Sequence, residues 1–67
     1  MSDIQTGSIP VVVTGALGRM GAEVIRAVHL APDCHLVGAV DNTPGKEGQD
    51  VGELLGLDAL DVAVTAD

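Results

Sequence analysis

Ile9-Pro10-Val11-Val12-Val13-Thr14-Gly15-Ala16-Leu17-Gly18-Arg19-Met20-Gly21 is the stretch that decides the fold. Ile9 to Thr14 is a β-branched run ending at a glycine, the pattern of a strand buried on both faces rather than one alternating between core and water. Pro10 belongs at the start of that strand, where its missing N–H does least damage. Working outward, Gly18 to Ala31 carries Met20, Val24, Ala27, Val28 and Ala31 at three- and four-residue spacing, which predicts a helix with those residues as its apolar stripe. Pro32 and Asp33 stop it. His35 to Val40 is a second apolar strand, closed by the turn formers Asp41-Asn42-Thr43-Pro44-Gly45. Asp50 to Leu55 predicts a short helix with Asp50 as N-cap, Glu53 at capping-box spacing and Gly56 as its stop. Asp61 to Thr65 reads as a third strand.

Strand, helix, strand in this order implies a crossover connection and a parallel sheet. One substantial helix covers one face, so the opposite face needs further protein or a partner. The first eight residues are polar and without period, and read as a disordered or extended lead-in to a domain that occupies 9–67.

Composition narrows the classes. A 67-residue chain with no Phe, Tyr or Trp has a small core built only from aliphatic side chains. A single cysteine, Cys34, cannot staple it, and no Cys/His spacing suits structural zinc. The formal charge of −7 has the wrong sign for nucleic acid or an anionic membrane. No run approaches a membrane span and the start lacks signal-peptide character, so a soluble, reducing, cytoplasmic setting is the expectation. A mean hydropathy of +0.38 suits an interior piece of something larger.

The glycines between strand and helix carry the chemistry. A dinucleotide pyrophosphate is held by free backbone N–H groups and the positive end of a helix dipole, and side chains block that approach. Gly15 suits the tight turn, Gly18 the close approach of backbone to phosphate, and Gly21 the close packing of helix on sheet. The spacing is G-x-x-G-x-x-G, a variant of the commoner G-x-G-x-x-G with Leu17 at the usual second glycine. Asp41 ends the second strand twenty residues after Gly21, where an acid accepts the adenine ribose hydroxyls. Together these features predict an α/β fold, a truncated Rossmann-type βαβ half-domain.

Each residue also has a plainer role: glycine for a tight turn, Asp41 as a turn starter. No Gly-Lys-Ser or Gly-Lys-Thr is present, which excludes a Walker A loop. Arg19, in the first helical turn, opposes the dipole unless a phosphate is bound; Lys46 could reach a 2′-phosphate or simply face water. His29 suits the helix C-terminus, His35 opens the second strand, and Arg26 with Glu23 forms a surface pair. Cys34 and His35 are adjacent on a strand and point to opposite faces, so they do not make a nucleophile pair. Rival readings are a non-catalytic nucleotide-binding or docking module, and an S-adenosylmethionine-binding βαβ unit. Arg19 discriminates against the latter, whose ligand is a sulfonium cation without phosphate.

Three stretches resemble the dihydrodipicolinate reductase family. Val12 to Gly21 is similar to its opening strand and Gly-Arg-Met-Gly turn, Leu36 to Asp41 to its second strand with the ribose acid, and Gly48 to Gly56 to the loop and short helix that follow. The resemblance implies a reductase that moves hydride from NADH or NADPH to a cyclic, unsaturated dicarboxylate in diaminopimelate and lysine synthesis, working as a homo-oligomer, a tetramer in the family. It implies Gly15, Ala16, Leu17, Gly18, Arg19, Met20 and Gly21 as the pyrophosphate turn and Asp41 as the ribose ligand. Family members are several times longer, and their catalytic His- and Lys-bearing motif and substrate domain lie past this point. No histidine here, nor Lys46, takes those roles. Asp41 favours a free 2′-hydroxyl, while Arg19 and Lys46 offer the only offsetting cations, so use of both coenzymes is expected.

Overall fold

Residues 8–66 are described by the computed structural model; the expectation for the lead-in falls almost wholly on 1–7, outside the described residues. The β-branched run forms β1 (Ile9–Thr14), followed by α1 (Arg19–Leu30), β2 (Cys34–Val40), a one-turn α2 (Val51–Leu54) and β3 (Val64–Thr65). The strands form one sheet in the order β1-β2-β3, and both pairings are parallel. This is the half-Rossmann arrangement expected from the strand–helix–strand order, with the β1-to-α1 turn and the end of β2 side by side.

The core is one cluster: Val13, Ala16, Ile25, Ala39, Val51, Val62 and Val64 are buried, with Leu36, Leu54 and Leu60 among the residues packed around them. Residues from β1, α1, β2, α2 and β3 meet in it, so both helices serve the same apolar layer. Among the described residues, the other side of the sheet is left open. Val13 is 6% exposed, but its neighbour Val12 is 58% exposed, and Val37 of β2 is exposed as well. The run that reads as buried on both faces is therefore covered on one, as the single long helix requires.

Three further features differ from the sequence reading or lie outside it. The buried stripe of α1 is Gly21, Ala22 and Ile25, not the one through Met20, Val24 and Ala27; Met20 is 79% exposed and Ile25 fully enclosed. Gly21 sets this rotation. A Cβ built there would lie 2.8 Å from the Gly15 carbonyl carbon and 2.9 Å from Ala16 Cα, so the helix backbone rests directly on the turn and brings the Gly21 and Ile25 side inward. Sheet register is the second departure: Val11 pairs with Leu36 but Val12 pairs with Gly38, leaving Val37 as an inserted residue. Leu36 and Ala39 both join the core through this bulge despite their odd spacing.

The third concerns the last strand, which is only Val64–Thr65. Asp61 adopts φ 59°, a left-handed conformation incompatible with strand. Val62 and Ala63 pair instead with the start of α2, Val51 N donating to Val62 O and Ala63 bridging Asp50 in antiparallel fashion, while Val64 N donates to Gln49 O from within β3. The short helix itself matches expectation. Asp50 caps it by accepting from Glu53 N at 3.1 Å, and Gly56 follows at φ 81°. Arg26 donates to Leu55 O at 3.2 Å, tying α1 to the end of α2.

Candidate functional site

The turn between β1 and α1 is assembled from backbone. Gly15 takes φ 64°, where a Cβ would be strained, and its carbonyl accepts from Gly18 N at 3.0 Å. Ala16, fully buried, donates its amide to Val40 O at 3.0 Å, which ties the turn to the end of β2. Gly18 is the N-cap of α1 and offers no side chain to it, and the first turn contains no acid. The first bond closing the helix runs from Ala22 N to Gly18 O at 2.9 Å. Helix geometry thus leaves the amides of Arg19, Met20 and Gly21 pointing out of the N-terminus, with the positive dipole end behind them. An open hollow of about 570 Å³ lies against this turn, walled by β1 residues 11–14, Gly15, Gly18, Arg19, Met20, Gly21 and Val24.

Asp41 is joined to the turn directly. Its Oδ2 accepts from Leu17 N at 2.8 Å; Oδ1 accepts from Thr43 N at 2.8 Å and from the Thr43 hydroxyl. The Thr43 hydroxyl first, then the Leu17 and Thr43 amides, hold the carboxyl below the ordinary aspartate range and so favour its anionic form. The backbone continues the attachment, since Asp41 N donates to Thr65 O at 3.0 Å. Gly15 to Gly21 and Asp41, twenty residues apart in the sequence, are therefore one structural unit at the carboxyl end of the sheet.

The remaining candidates lie elsewhere or contribute less. Lys46 N donates to Thr43 O at 3.4 Å, which places the lysine backbone in the loop that follows Asp41. A smaller hollow of about 210 Å³ at the amino end of β2 is lined by Ile25, His29, Cys34 and His35, among others. Burial first, and then the neighbouring Asp33 carboxylate, push the Cys34 thiol up, which disfavours the nucleophilic thiolate. His35 Nδ1 lies 2.6 Å from Ser8 Oγ. Among the described residues no group of three or more His, Cys, Asp or Glu could hold a metal ion. None of their helices is long and apolar enough to cross a membrane.

Sequence reasoning named Leu17 only as part of the glycine turn, and missed both Thr43 and the bond from the Leu17 amide to Asp41. An Asp-x-Thr spacing is a signal for a local side-chain turn and was available at Asp41; the Leu17 contact spans 24 positions and had no local signature.

Residues 9–67 match the family model described as dihydrodipicolinate reductase, N-terminus. The chain belongs to the dihydrodipicolinate reductase family. A relative from Prochlorococcus marinus (strain MIT 9313), named 4-hydroxy-tetrahydrodipicolinate reductase, is 69% identical over all of this chain and 24% of its own length. A protein of the same name from Synechococcus sp. (strain CC9605) is 76% identical over 92% of this chain and 22% of its own. A third, from Synechocystis sp. (strain ATCC 27184 / PCC 6803 / Kazusa), is 61% identical over 88% and 22%. The chain thus spans about a quarter of the length of these reductases, and the N-terminal part of dihydrodipicolinate reductase is its NAD(P)H-binding domain.

Proposed function

We propose that this chain holds the pyrophosphate and adenine ribose of NADH or NADPH for a 4-hydroxy-tetrahydrodipicolinate reductase of diaminopimelate and lysine synthesis. The carrying observation is the 2.8 Å bond from Leu17 N to Asp41 Oδ2, which sets a ribose acid against an anion-accepting turn. The site fits the coenzyme: the amides of Arg19, Met20 and Gly21 face the phosphates, and no acid or side-chain cap competes for them. Arg19, exposed at the first helical position, adds charge to the same anion. Asp41 accepts a ribose hydroxyl and repels a 2′-phosphate.

When bound, the nicotinamide supplies the hydride for the cyclic dicarboxylate. The residues here orient that cofactor; those that hold and protonate the acceptor belong to the rest of the reductase, a cytoplasmic homo-oligomer in this reading. Gly18→Val is the direct test. A Cβ at Gly18 meets one atom within 4 Å, Gly15 O at 3.4 Å, so the branched residue can be placed without a backbone clash at its Cβ. Calorimetry on the full-length reductase should show coenzyme affinity reduced more than about tenfold, roughly 1.4 kcal/mol, with the fold intact. Unchanged affinity in a folded variant counts decisively against the site.

A further inference from the structure

The carboxylate of Asp41 has about four acceptor sites, two on each oxygen. Thr43 fills both of those on Oδ1, one with its amide and one with its hydroxyl, while Leu17 N takes one on Oδ2. Among the described residues one site remains, and it is on the oxygen already joined to the glycine turn. We propose that Thr43 is a positioning residue for coenzyme recognition: its hydroxyl occupies Oδ1 and fixes the Asp41 carboxylate with Oδ2 as the acceptor offered to the ribose. This rests on Asp41 being the ribose acid.

The terminal torsion of an aspartate is broad, with no deep staggered wells of its own, so the carboxylate plane is set by what bonds to it. With the hydroxyl in place the plane is held from two sides, by Leu17 and by Thr43. Removing it leaves the charge and both amide bonds, but opens an acceptor site on Oδ1 and loosens the plane. A ribose hydroxyl then loses a preset acceptor, whereas a 2′-phosphate meets a carboxylate that can turn away from it. Loss of the hydroxyl should therefore harm NADH more than NADPH.

A double-mutant cycle in the full-length reductase tests this, with NADH and NADPH affinities measured by calorimetry. T43V should weaken NADH by about three- to tenfold, the range expected for one hydrogen bond. NADPH should weaken less, and T43S should bind both like the parent. In a D41N background the same T43V change should alter NADH affinity less than about twofold, because the group it positions is no longer a carboxylate. Should T43V fail to fold, T43A carries the same comparison.

Similar losses in both backgrounds would show that Thr43 only holds the loop. That outcome overturns the inference and leaves Asp41 as the ribose acid, as does an unaltered T43V or a T43S as weak as T43V. If D41N itself leaves NADH affinity unchanged, the assignment of Asp41 fails and the role of Thr43 fails with it.

Discussion

Gly21 links one missing side chain to the geometry of the whole turn. The atoms its Cβ would meet are backbone atoms of Gly15 and Ala16, which cannot yield without moving both the end of β1 and the anion-facing amides. Gly21→Ala should therefore destabilise the full-length protein by about 1–3 kcal/mol, the usual cost of overpacking, and weaken coenzyme binding as well. Urea unfolding and calorimetry on one sample read both effects; a stable variant with normal affinity would contradict this packing. Asp50 acts through charge instead. Its oxygens accept from Glu53 N, Leu60 N and Val62 N, and the Leu60 bond is the largest influence holding its pKa below the ordinary range. A depressed folded-state pKa means a contribution present above the unfolded value, near about 3.9, and lost as pH falls through the folded one. Asp50→Asn should lower Tm at pH 7, and the gap to the parent should narrow toward pH 3. A gap that stays constant across that range would remove Asp50 ionisation from the stability of the α2 region.

At the level of elements, β1, α1, β2 and α2 were legible because each carries local signals: a β-branched run closed by Gly15, Pro32 after a periodic stretch, a turn cluster from Asp41, and Asp50 with Gly56 around one helical turn. What was not legible depends on contacts distant in sequence. Spacing alone permits several apolar stripes on α1, and only the approach of Gly21 to Gly15 selects the one with Ile25. The bulge at Val37 arises from pairing with β1, and the shortening of β3 from the bonds that Asp50, Gln49 and Val51 make with residues 60–64. The glycine turn and Asp41 were legible as the candidate site, because strand-to-helix glycines and a strand-end acid have fixed sequence offsets; the bond that unites them was not. The corrected rotation makes its own prediction. Ile25→Ala should cost about 2–5 kcal/mol as a buried large-to-small change, whereas Met20→Ala should shift denaturant stability by less than about 0.5 kcal/mol. Equal costs would restore the stripe through Met20.

For the molecule as a whole, the uncovered side of the sheet decides how these residues behave alone. Val12 and Val37 lie on it, and β1 is an edge strand in the described sheet, so both apolar surface and unpaired backbone are presented together. A core without aromatics, disulfide or metal seldom leaves more than about 3–5 kcal/mol after chain entropy, and an open sheet face erodes that margin. Residues 1–67 expressed alone should therefore show no sharp two-state melt as a dilute monomer. They should also show no turnover, because hydride transfer requires the acceptor to be held against the nicotinamide and the coenzyme turn supplies none of that contact. Val12→Thr separates the two contexts. In the isolated segment it replaces exposed apolar surface with a hydroxyl and should raise the monomer fraction in sedimentation. In a full-length reductase, if further protein covers this face as a parallel sheet requires, the same hydroxyl is buried and should lower stability by about 1–3 kcal/mol. A change of the same sign in both contexts, or a cooperative melt of the dilute segment, would mean that this face needs no cover.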